Sequence, residues 1–153
     1  MPMNYRSCRY FFGWILTTVV FFPSEAQEVN SWRALSDVTF VSKTDELLGY
    51  EIEAPVFGSK VLALEGKQVQ VRGYIVPLEE MRGHKYFVLS SLPFNVCFFC
   101  GGAGPETVIE VYSKNEIPFT DKAITIKGTL ELNADDPLHL MYLLKNAELI
   151  TNN

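Results

Sequence analysis

The sequence predicts an all-β protein: a small five-stranded barrel with an N-terminal arm and a short helix. Three observations predict it. Apolar and polar residues alternate with a period of two along several stretches. Glycines interrupt the apolar side of two of those stretches. The chain also has the size and balance of one compact domain, with 153 residues, 48% hydrophobic and 20% charged.

The first 26 residues are set aside from the fold. Arg6 and Arg9 give a basic start, residues 10–22 are almost wholly apolar, and Pro23 breaks the run. Ser24 and Ala26 then place small residues where a signal peptidase cuts. The apolar stretch falls short of the roughly 20 residues a spanning helix needs. Residues 1–26 are therefore expected to be a cleaved secretory leader, and residues 27–153 a single domain. Export places the protein in the periplasm of a two-membrane bacterium. The leader removes two basic residues and one acidic, so the net charge moves from −5 to −6. It also removes Cys8, leaving Cys97 and Cys100 in a compartment that permits disulfides.

Ser31 to Val41 reads as a strand or hairpin arm, and Phe57 to Leu64 as a short helix running into Gly66, a residue suited to a helix C-terminus. Trp32 and Phe40 are expected to plug the core. In the first barrel strand, Lys67 to Val76, one face carries Val69, Val71, Gly73 and Ile75. Tyr86 to Ser90 and Thr107 to Tyr112 supply the second and third. In the fourth, Ala123 to Leu132, Ile124, Ile126, Gly128, Leu130 and Leu132 share a face. Asp135-Asp136-Pro137 makes a turn into the fifth, Met141 to Ile150. A glycine on an inward face marks a bulge or a bend. Two of them, Gly73 and Gly128, suit a sheet coiled into a five-stranded OB-like barrel, with a sandwich as the alternative.

Between the second and third barrel strands lies Cys97-Phe98-Phe99-Cys100-Gly101-Gly102-Ala103-Gly104-Pro105-Glu106. Two cysteines at this spacing allow three readings. The first is half of a metal site, because one turn brings both sulfurs to one ion at about 2.3 Å. Gly101 can take positive φ and curl the backbone so that N–H groups point at the sulfurs. Two further ligands complete a closed shell. His84 and His139 are the only histidines, and Glu79, Glu80 and Glu106 offer oxygen. His84 opens the strand leading to the motif and ranks above His139, which reads as a solvent-facing loop residue. The second reading is a thiol–disulfide protein with Cys97 as the more exposed nucleophile. Glycines and a proline after Cys100 disfavour the helix that usually lowers such a thiol's pKa. The third reading is structural: a local disulfide or two small apolar side chains bracing a loop that presents Phe98 and Phe99 to a partner.

Other chemistries lack their residues. Gly101 to Gly104 has no lysine or hydroxyl residue for a phosphate loop. Ser90-Ser91 has no glycine frame for a hydrolase elbow. The acidity disfavours nucleic acid and anionic lipid.

The run Leu64-Glu65-Gly66-Lys67, Val69 and Gly73 to Glu79, then Phe87 to Ser90, Pro93, Cys97 and Val108 to Val111, resembles an exported bacterial domain-of-unknown-function family, the thirty-two-ninety-nine family. The resemblance spans roughly residues 32–149. It implies an exported or lipid-anchored protein with an OB-like barrel. It also implies a cysteine followed by a histidine two residues on, where this chain has Phe98-Phe99-Cys100. Exchanging histidine for cysteine preserves metal-ligand chemistry. The resemblance also implies a membrane transport complex for metal uptake as the partner. The expected protein is thus an exported, non-enzymatic metal binder. Cys97 and Cys100 are its soft ligands, His84 and Glu106 complete the shell, and zinc, or copper(I) as second choice, is the ion.

Overall fold

A computed structural model describes residues 31–44, 49–76 and 85–150. The expected leader, Glu79, Glu80 and His84 lie outside the described residues. Among the described residues no helix is long and apolar enough to cross a membrane.

The chain opens with a short helix, α1 (Trp32–Leu35), where alternation alone suggested a strand. Strands β1 (Val38–Thr44) and β2 (Glu51–Phe57) then pair antiparallel as the arm. One turn of helix follows, α2 (Ser59–Leu62). It ends at Leu62, short of Gly66. Gly66 does take positive φ, at 68°, but its N–H bonds to the Leu130 carbonyl at 2.9 Å and so starts the barrel.

The expected five-stranded all-β barrel follows. Its strands are β3 (Gln68–Val76), β4 (Tyr86–Ser90), β5 (Val108–Ser113), β6 (Ile124–Leu132) and β7 (Tyr142–Ile150). They close in the order β3-β4-β5-β7-β6, with β6 returning to β3. Every pair is antiparallel except β5 and β7, which run parallel. The intervening strand β6 supplies the crossover that a parallel pair needs.

Alternation decides what lies inside. Val69, Val71 and Ile75 of β3 are buried, as are Phe87 and Leu89 of β4 and Ile126 and Leu130 of β6. The arm and both short helices close one side of this core through Leu35, Val61, Trp32 and Phe40. Two hydrogen bonds pin α1 there. The Tyr142 hydroxyl donates to the Leu35 carbonyl at 2.6 Å, and the Trp32 indole donates to the Arg72 carbonyl at 2.8 Å.

The two inward glycines work differently. At Gly73, β3 changes partner from β6 to β4, and a Cβ would run into the Ser90 carbonyl. Gly128 pairs in register with Val69 of β3, but on its other side it faces a bulge on β7. There Lys145 to Glu148 spans one residue more than Lys127 to Thr129, and Asn146 takes φ 52° to absorb it. Gly128 leaves room for the displaced Leu144 side chain, 2.7 Å from where its Cβ would be.

A second, smaller apolar cluster sits on the outside of the barrel. Val76, Val88 and Val108 point away from the main core, and Phe98 and Leu140 cover them. Those two residues come from the two loops that carry the site.

Candidate functional site

The Cys loop leaves β4 at Ser90, and the Ser91 N–H bonds to the Thr107 carbonyl at 2.9 Å where it returns. Between these ends the chain makes three single 3-10 turns, Phe94–Val96, Phe98–Cys100 and Pro105–Thr107. Prolines open two of them: Pro93 precedes the first and Pro105 begins the third. Two glycines shape the middle. Gly101 ends the second turn in the left-handed region, at φ 74°. Gly102 packs so closely under the Val96 carbonyl that a Cβ would collide with it.

The cysteines stand at either end of the second turn. The Cys97 carbonyl accepts from the Cys100 N–H at 3.0 Å and the Gly102 N–H at 3.2 Å, and the Phe98 carbonyl accepts from the Gly101 N–H at 2.9 Å. Gly101 therefore has the expected positive φ, but the N–H groups of residues 100–102 bond to carbonyls. The turn and its closure on the Cys97 carbonyl use these donors, so they do not point at sulfur. Cys97 is wholly buried and Cys100 is exposed, and both thiols are free. This reverses the expected exposure of the pair. Cys97 is the extended residue between two turns and is covered, whereas Cys100 ends its turn at the surface. The Cys100 thiol donates to the Phe94 carbonyl at 3.0 Å. Desolvation by the surrounding turn, and then the adjacent Cys97 thiol, push the Cys100 pKa above its ordinary value. At neutral pH such a thiol gives little thiolate and is a poor attacking group.

The remaining expected ligands fall as follows. His84 lies outside the described residues. Glu106, on the third turn, folds its carboxylate back over Gly104 and lies near enough to Tyr142 to help raise that phenol's pKa, after burial. Among the described residues, no three of His, Cys, Asp and Glu come close enough to hold one ion. Phe98 is half-buried in the outer cluster, whereas Phe94 and Phe99 are exposed beside Cys100.

His139 is an exposed loop residue, as its turn suggested, but it is not without a partner. Its Nδ1 lies 3.1 Å from the carboxylate of Glu110. Glu110 points outward from β5 yet is only 3% exposed, because the loop of residues 133–141 folds over it. It accepts from the Leu140 N–H at 2.7 Å and from the Tyr112 hydroxyl at 2.7 Å. Burial, then the hydrogen bond to Glu110, pushes the Tyr112 pKa up. Sequence reasoning passed over Glu110. The available signal was a carboxylate inside the apolar run Val108 to Val111, since a buried charge is costly unless partnered.

Comparison with known proteins gives one structural likeness. A solved structure of a DUF3299 family protein from Pseudomonas aeruginosa PAO1 is similar to this chain, with 21% identity and a TM-score of 0.41, over 60% of this chain and 66% of that one. It carries the name of the family that the sequence resembles. No family model matches the chain, and no curated protein matches it.

Proposed function

We propose that this is an exported, non-enzymatic metal-binding protein, and that Cys97 and Cys100 hold a soft cation. One observation carries the reading. Two free thiols stand side by side at the ends of one glycine-shaped turn, one buried and one open to solvent. Paired sulfurs select zinc or copper(I) over magnesium or calcium. Zinc takes four ligands; Glu106 does not stand with the two sulfurs, so His84, solvent or a partner would have to complete its shell. Copper(I) would depend more fully on the two sulfurs. A bound cation also relieves the mutual opposition to ionisation that raises Cys100, because it stabilises both thiolates.

The rival is thiol–disulfide exchange. Adjacency of the sulfurs suits a disulfide equally well, but the raised pKa of the exposed thiol opposes its use as a nucleophile. The membrane transport complex implied by the family resemblance would be the partner, and the exposed Phe94 and Phe99 beside Cys100 offer it an apolar contact.

Titration of the reduced protein with zinc, and anaerobically with copper(I), against a chromophoric chelator tests the reading. One ion per chain should bind, and Cys97→Ser/Cys100→Ser should lose at least a hundredfold in affinity. Equal binding by the variant would refute it.

A further inference from the structure

A cavity of about 300 Å3 lies between the β1–β2 arm and the loop of residues 133–141, next to the Glu110 cluster. That volume is at the small end of the range for small-molecule sites. Its walls are apolar, with Phe40 and Ile52 from the arm and Phe98 from the Cys loop. Its carboxylates and ammonium groups are of one sign only. Glu53, Asp135 and Asp136 line it, and no lysine or arginine does so among the described residues. Lys43, outside the lining, answers only Asp135, at 3.4 Å.

Tyr50, Asn133 and His139 supply its uncharged polar groups, and Glu110 fixes what His139 can do. Both oxygens of that buried carboxylate accept hydrogen bonds, from Leu140 on one and from Tyr112 and His139 on the other. An ionised carboxylate can only accept, so the proton of the neutral imidazole resides on Nδ1. Nε2 is left as a lone-pair acceptor, and it has no hydrogen-bond partner among the described residues.

We infer that this cavity is a binding site for a small apolar amine, its ammonium received by His139 Nε2 and the surrounding carboxylates and its alkyl or aryl body by Phe40, Ile52 and Phe98. The aromatic walls favour the same choice, because ring faces attract cations. A carboxylate ligand of equal shape would meet three like charges. A neutral alcohol would gain the apolar contact and one hydrogen bond, but no charge attraction. The inference goes beyond the metal reading and is independent of what the cysteines hold.

The test is calorimetric titration of the purified protein with benzylamine, benzyl alcohol and benzoate at pH 7.5, with 15N spectra of the histidine rings. Benzylamine should bind at least tenfold more tightly than the alcohol, benzoate should not bind, and the His139 Nε2 resonance should move. His139→Ala should weaken benzylamine at least tenfold. Ala54→Leu should abolish binding by filling the cavity, with the melting transition of both variants confirming that they fold. Absence of benzylamine binding, preference for benzoate, or full affinity in His139→Ala would each overturn the inference.

Discussion

The two loops that cover the outside of the barrel meet at Phe98 and Leu140 but are fastened in opposite ways. The Cys loop is held by its backbone. Its turns close on carbonyls, its glycines fit positions that a Cβ would strain or block, and it carries no charge from Ser91 to Pro105. The loop of residues 133–141 closes on a backbone bond from the Asn133 N–H to the Met141 carbonyl at 3.0 Å, but most of its fastening comes from side chains. Glu110 receives Leu140 and His139, and Asn133 bonds to the Asp136, His139 and Leu140 carbonyls. The difference teaches where each loop can change. In the first loop, the thiols can alter their state while the backbone turns persist. The second hangs on Glu110 as well as on Asn133, and Glu110 also holds His139, so its shape and its chemistry cannot be separated.

The sharpest way to break this contrast is Glu110→Ala. It strands the Leu140 N–H and the Tyr112 hydroxyl, and it should cost about 3 kcal/mol in urea denaturation, since bonds to a charged group are worth roughly 1.5–3 kcal/mol each. Cys97→Ala in the reduced protein removes only one small buried group and should cost about 1 kcal/mol. Equal costs would mean that the loops are fastened alike.

Next in size is Gly102→Ala, which drives a methyl group into the Val96 carbonyl. It should destabilise by about 1–3 kcal/mol through overpacking and weaken metal binding by moving Cys97 relative to Cys100. Chelator competition on the same sample checks the second effect. Gly101→Ala has open space around it but needs positive φ, and should cost about 1 kcal/mol.

Alkali probes the polar fastening. Tyr112 and Tyr142 both have raised folded pKa values. Their contribution is therefore fully present below the ordinary phenol pKa of about 10 and is lost as the pH rises towards the folded values, because the unfolded chain ionises first. Urea midpoints should fall above about pH 10. Tyr142→Phe, which also leaves the Leu35 carbonyl without its donor, should flatten part of that fall. A midpoint independent of pH up to 11 would contradict the assignment. The smallest expected effect is that of Cys100→Ser. Its side chain is exposed and its loop is held by the backbone, so the melting temperature of the metal-free protein should stay unchanged.

Much of the barrel was legible in the sequence because alternation is a local signal. Tyr86 to Ser90 forms the expected strand residue for residue, three of the others begin one residue later than expected, and β5 is shifted by one residue at both ends. The arm was only half legible. In β2, Pro55 and two glutamates mask the period-two pattern, although an edge strand tolerates both. One turn of helix at Trp32–Leu35 is too short to show a 3.6-residue period. The site divides the same way. Cys97 and Cys100 are neighbours in the chain, so their spacing announced them. Glu110 and His139 are 29 residues apart and meet only because β5 and the 133–141 loop share one face of the barrel. The bulge at Asn146 was likewise hidden, since nothing local marks an asparagine that will take positive φ.

The central claim is that the thiol pair holds a soft cation. Its most direct test is the metal content, by mass spectrometry, of untagged protein purified from its native compartment, with free thiols counted on the same sample. About one zinc or copper per chain, absent from Cys97→Ser/Cys100→Ser, is the predicted result. A protein with neither metal nor free thiol would contradict the claim and show the pair to be a disulfide.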